Sequence, residues 1–235
     1  MDSIELAARY SFMPNKLKYC GPEDTDKILF DYVIGKADKR VVKQILDQFD
    51  SIKHYLSLIA RYNDKDVFDK EVIEAYWLGN KLLEKVPSEE IKNLILNEFT
   101  KTGMAREIAI GLANKVPKDA LPHHSFHVLH IHEATKKTGA LTNIDKCRIS
   151  WGKVRHIGKD KLIVAYRPIE VKDRIKLGGA REIEVDYNKE FLPNLNEGDF
   201  VSMHWGLAIQ LLDERQVENM EKYTEKNIDA MNSLK

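Results

Sequence analysis

The chain has 235 residues, 43% of them apolar, which is enough for one large or two small cored domains. Thirty-seven Lys and Arg balance 37 Asp and Glu, and this formal charge of zero argues against a general nucleic-acid or anionic-membrane footprint. Two distant cysteines, Cys20 and Cys147, form no disulfide framework, the first residues show no leader pattern, and no apolar run approaches the ~20 residues of a membrane span. The expectation is a soluble, cytoplasmic protein.

Residues up to about 140 read as helical. Asp2 with Glu5 three positions on caps a first helix, and Met13-Pro14-Asn15 and Tyr19-Cys20-Gly21-Pro22 interrupt it. Thr25-Asp26 starts the next helix, with Ile28, Leu29, Tyr32 and Val33 on one face and Gly35 at its end. Val41, Ile45, Phe49, Ile52, Leu56 and Ile59 form one stripe at helical spacing, so a single long helix is expected there. Further helices are expected around Val72–Leu83, stopped by Pro87, around Ile91–Phe99, where Ser88 is the expected cap, and around Ala105–Val116.

Pro122–His132 holds five of the eight histidines. As a helix from Pro122 it places His123, His127 and His130 on one face; as a strand it separates His127 from His130 and His132. The helix is the preferred reading, because Gly139 then provides a stop.

Near residues 140–145 the period changes. Cys147–Val154, Leu162–Tyr166, Glu182–Val185 and Phe200–His204 are short, rich in β-branched or aromatic residues, and separated by turn formers. Such a run predicts a small antiparallel barrel. The Gly206 bend after His204 is read as leading into a final amphipathic helix carrying Val217, Met220, Tyr223 and Ile228. The expected fold class is α+β, with a helical domain at 1–142 and a barrel plus C-terminal helix at 143–235.

Three ordered blocks in the second half resemble the HypC/HupF hydrogenase assembly chaperones. The first is Cys147, Ile149, Gly152, Lys153 and Val154; the second is Gly178, Gly179, Arg181 and Ile183. The third is Gly198, Asp199, Phe200, Val201, His204, Gly206, Leu207, Ala208 and Ile209. An acidic helix after Leu212-Asp213 completes the match, which covers roughly residues 145–232. The resemblance implies an OB-like barrel with a C-terminal helix. It also implies a role in escorting the iron centre of nickel–iron hydrogenase between a maturation protein and the large subunit precursor. Cys147 then corresponds to the iron-contacting thiolate, with iron held transiently, and His204 to a supporting polar residue. This chain departs from the family: Cys147 is internal and has no free amine, Trp151 stands where the family usually has Pro, and residues 166–177 form a longer connection. The full chain also resembles uncharacterised proteins that accompany hydrogenase genes, through Ala8-Arg9-Tyr10, Tyr19-Cys20-Gly21-Pro22, Ala75–Asn80 and Pro122-His123-His124.

Each candidate has a plain structural alternative. Cys147 suits a soft metal, with Lys146 and Arg148 expected to lower its pKa; otherwise it is a small buried hydrophobe. His204 is a ligand or a core histidine bonded to a carbonyl. His127 and His130 are the best individual candidates of their cluster, one of whose members is expected to replace the ligand that a terminal Cys would offer; the alternative for the set is packing between the two halves. Cys20 is read as a turn residue that could pair with Cys147 in a two-thiol site. No phosphate loop, dinucleotide-binding or nucleophile-elbow motif is present, so a non-enzymatic role is favoured. The expected function is an accessory protein of hydrogenase assembly that presents Cys147, assisted by His204. The alternatives are an adaptor that has lost metal handling and a metal-dependent enzyme built on the 123–132 histidines.

Overall fold

A computed structural model describes residues 1–132 and 141–234 of the chain. Gly139, the expected helix stop, lies outside the described residues.

Helix α1 (Ser3–Lys16) starts where Asp2 accepts the Glu5 amide, the cap that the Asp2–Glu5 spacing predicts. It does not end at Met13-Pro14-Asn15; Pro14 lies within its last turn. Helix α2 (Asp26–Val33) follows a tight connection. The stripe at 41–59 is two helices rather than one, α3 (Lys39–Leu46) and α4 (Asp50–Asn63). Phe49 stands between them as the residue preceding α4, and Val41 is exposed while Val42 is buried. The break preserves the helical phase from Ile45 onward, so spacing alone does not reveal it.

Helix α5 (Lys70–Trp77) leads into a 3-10 turn, Lys81–Lys85. Helix α6 (Ser88–Leu94) opens on Pro87 rather than on a Ser88 cap, and continues as a π-helical turn, Ile95–Phe99. Helix α7 is Arg106–Ala113. The histidine segment is helical: α8 (His124–Phe126), whose N-cap His123 accepts the Ser125 amide, runs into the π-helical turn His127–His132. Helix α9 (Leu141–Cys147) follows.

The strands are β1 (Ser150–Ile157), β2 (Lys161–Tyr166), β3 (Ile169–Val171), β4 (Ile175–Leu177), β5 (Arg181–Asp186), β6 (Phe200–His204) and β7 (Leu207–Leu212). Helix α10 (Glu214–Asn232) closes the chain behind a capping box of Asp213 and Gln216. Five strands pair in a closed ring in the order β1-β2-β5-β7-β6, and β3-β4 form a separate hairpin in the longer connection after Tyr166. The ring closes through one parallel pair, Asp186 with Leu207. Gly152 lets β1 lie close on β2: a Cβ there would stand 2.4 Å from the Ala165 carbonyl oxygen.

Two features of this half differ from expectation. Cys147 ends a helical turn rather than starting a strand. The Gly206 bend returns as β7 before the final helix begins. Strand β7 is apolar along nearly its whole length, Leu-Ala-Ile-Gln-Leu-Leu, because both of its faces are covered; it lacks the alternation that marks a half-exposed strand.

The two halves share one apolar core, which runs from Ile4 in α1 through α4, α5 and the strands to Tyr223 in α10. Arg9 of α1 donates to the carbonyls of Phe191 (2.7 Å) and Ile209 (3.2 Å), and the Tyr10 and Ser202 hydroxyls are 2.7 Å apart. A smaller cluster around Val128, Leu129, Cys147 and Trp205 fills the join between α8, α9 and the strands. No helix among the described residues is long and apolar enough to cross a membrane.

Candidate metal centre

At this join three elements bring His124 of α8, Cys147 of α9 and His204 of β6 together. One ligand atom from each lies within 4.8 Å of the others. The side chains are buried, at 5%, 3% and 1% exposure, so the group is enclosed rather than displayed. A tetrahedral ion bonded at about 2.0–2.3 Å needs its ligand atoms about 3.5 Å apart, and a contraction of ~1 Å reaches that spacing.

The orientation of His204 follows from a proline. In an α-helix the amide of residue 14 would bond the carbonyl of residue 10, but Pro14 has no N–H. His204 Nδ1 donates instead to the Tyr10 carbonyl, at 2.8 Å. A carbonyl only accepts, so the proton is on Nδ1 and the ring's lone pair is on Nε2, the atom that would ligate. A backbone carbonyl behind the ring is the usual outer support of a metal-bound imidazole. His124 is fixed through Nε2, which donates to the Cys147 carbonyl at 2.9 Å; Nδ1, the nitrogen that would ligate, accepts from the Tyr76 hydroxyl at 3.1 Å, a bond that an incoming ion must displace. The two rings meet edge to face, 5.4 Å apart, and Trp77 packs against both, 4.7 Å from His124 and 5.8 Å from His204.

Burial, and then the neighbouring Cys20, push the Cys147 thiol well above its ordinary pKa. The expected lowering by Lys146 and Arg148 does not occur, because Lys146 is exposed and the Arg148 guanidinium is tied to Asp145 and the Arg167 carbonyl. Cys147 is therefore a protonated thiol that a metal ion must deprotonate on binding. Trp205 adopts the left-handed region (φ 51°) beside Gly206 (φ 78°), as a two-residue hairpin turn between β6 and β7 requires. A bulky residue there costs of order 1 kcal/mol. The buried indole, stacked 4.3 Å from Tyr19, offsets that cost and covers the site next to His204.

His127 and His130 take other positions. His127 lies among Tyr55, Phe99 and His124, at centroid distances of 5.5, 6.1 and 6.2 Å, and is outside the three-ligand group. His130 turns away, donating from Nε2 to the Leu112 carbonyl at 2.9 Å and stacking on Phe126. Sequence spacing favoured the face with His123, His127 and His130. It missed His124, because the site is defined by what packs opposite α8 rather than by the helix period. Tyr10 and Tyr76, the supports of the two rings, lie in Ala8-Arg9-Tyr10 and Ala75–Asn80, stretches that the sequence tied to a resemblance but not to a site.

Burial, with a minor effect of Lys115, lowers the His130 pKa, opposed by the bond to Leu112. The unfolded chain therefore takes up this proton first. Stability from His130 is full above about pH 6.5 and is lost as the pH falls, by up to ~1.4 kcal/mol per unit. Urea unfolding of metal-free protein between pH 6.5 and 5, where most carboxylates stay ionised, should show this slope. His130→Gln, which keeps a donor for Leu112, should reduce it without abolishing it, since burial lowers the pKa of His123 and His54 as well; an equal slope in that variant would remove His130 as a cause.

A helical half and a strand-rich half that enclose two imidazoles and a thiol define a mixed helix-and-sheet protein with a candidate soft-metal centre. The chain belongs to a family described as a family of unknown function (DUF6390), whose model matches residues 2–235. No curated protein and no solved structure matches the chain.

Proposed function

We propose that this chain is an accessory protein of nickel–iron hydrogenase metal-centre assembly. It holds an iron complex or a soft metal ion through Cys147, with His204 and His124. The observation that carries this reading is the convergence of a thiol and two oriented imidazoles, from three separate elements, on one enclosed point. The donor set fits the cargo: thiolate and imidazole suit iron, zinc and related ions, whereas calcium and magnesium prefer oxygen. The closed ring of five strands reads as an OB-like barrel, and the three motif blocks fall on the end of α9 and β1, on the entry to β5, and on β6–β7. His124 takes the part of the ligand that an internal cysteine cannot supply through its amine. The partner in this reading is a hydrogenase maturation protein or the large subunit precursor, met in a reducing cytoplasm, and the helical half is its docking module.

Metal analysis of protein purified without oxygen tests the reading. The wild type is expected to carry about one iron per chain, and Cys147→Ala and His204→Ala to lose it. Metal kept in Cys147→Ala but lost when His127 and His130 are both changed would favour an enzyme built on those histidines. A metal-free wild type that still captures the hydrogenase precursor would leave only an adaptor. Zinc in place of iron would overturn the iron assignment.

A further inference from the structure

The enclosed centre has a charge problem. A divalent ion bound by one thiolate and two neutral imidazoles carries a net charge of +1 among apolar and aromatic side chains, where an uncompensated charge is costly. The three-ligand group contains no carboxylate. The molecule has one other thiol, Cys20, half-buried on the short connection between α1 and α2.

Several contacts place that connection against the centre. The Pro14 carbonyl accepts the amides of Tyr19 (2.8 Å) and Cys20 (3.4 Å), and the Asn15 side chain donates to the carbonyls of Cys20 (3.1 Å) and Pro22 (2.7 Å). Tyr19 stacks on Trp205, the residue after His204, and the Trp205 amide donates to the Lys146 carbonyl, beside Cys147, at 2.8 Å. Gly21, at φ +84°, brings the chain so close to the Phe49 ring that a Cβ would stand 2.3 Å from it. Cys20 stands outside the group of ligand atoms that lie within 4.8 Å of one another, so its thiol must close in when an ion binds. The last turn of α1 therefore positions two things at once: His204 through the Tyr10 carbonyl and Cys20 through the Pro14 carbonyl.

We propose that Cys20 is the fourth ligand of the centre and the one on its solvent side, which makes the site a two-thiolate, two-imidazole centre for a soft divalent ion. This rests on the reading of Cys147, His204 and His124 as ligands. Two thiolates bring a divalent ion to neutrality, and each releases one proton on binding. Cys20 is also the only ligand with partial exposure, so an ion enters or leaves past it while the other three stay covered.

Cobalt(II), added without oxygen to the full-length protein, is the probe. The wild type should show a near-ultraviolet thiolate-to-cobalt band that falls to about half in Cys20→Ser, as one of two Co–S bonds is removed. A second measurement needs no variant. Alkylation of Cys20 by iodoacetamide, followed by peptide mass analysis, should slow by about tenfold or more once cobalt is bound, because the thiolate is then occupied. A full band in Cys20→Ser, or equal alkylation with and without cobalt, would remove Cys20 from the ligand set and leave the three-residue centre standing. Absence of any thiolate band in the wild type would sink that centre and this inference together.

Discussion

Asp145→Ala is expected to lower the unfolding free energy by about 3–5 kcal/mol, since it strands a buried charge. Arg148 is 1% exposed. Its Nε donates to Asp145 Oδ1 at 2.9 Å, its Nη2 donates to the Arg167 carbonyl, and its guanidinium lies over the Trp151 ring. Its Nη1 is buried with no acceptor among the described residues, so the group already lacks one partner. Asp145 also accepts the Ile169 amide (2.8 Å) and the Tyr166 hydroxyl (3.0 Å), which ties α9 to β2 and β3. Asp145→Asn keeps acceptors and should cost less. The double variant Asp145→Ala with Arg148→Met should recover much of the loss, because an apolar side chain of similar length needs no counter-charge. Urea unfolding measures all three. A loss below about 1 kcal/mol, as for an exposed pair, would show that the pair does not anchor this turn. Asp145 and Arg148 bracket Cys147, so the same variants should also lose metal.

Pro14→Ala is expected to separate stability from metal affinity. The new amide competes with His204 Nδ1 for the Tyr10 carbonyl, which weakens the support of that ring. Loss of such outer support typically lowers metal affinity about 10–100-fold. Helix α1 itself should gain, since proline is the poorest residue in a helix interior. Affinity measured by competition with a chelator, alongside circular dichroism, decides the matter. Unchanged affinity in a folded variant would show that the free carbonyl does not matter to the centre.

The strands rich in β-branched or aromatic residues between turn formers were readable from sequence: Phe200–His204 has the bounds the pattern predicts, and β2 and β5 differ by a residue at each end or less. β7 was hidden because it is covered on both faces, and the hairpin of β3 and β4 because three-residue strands carry too little pattern. The proximity of Cys147 and His204 was approached only through motif order. The place of His124 depends on long-range packing of α8 against α9 and β6, which no local spacing encodes. Pro14 was read as a helix breaker. Its effect is instead to leave one carbonyl open inside a helix that continues past it.

That open carbonyl has a consequence in time. Tyr10 and His204 are 194 positions apart, and Arg9 reaches Ile209 across 200. These two bonds of α1 form only once β6 and β7 have been synthesised. Until β6 is made, Cys20, His124 and Cys147 are present without His204. In the proposed role, loading therefore belongs after synthesis, and the metal donor recognises the folded protein rather than the growing one.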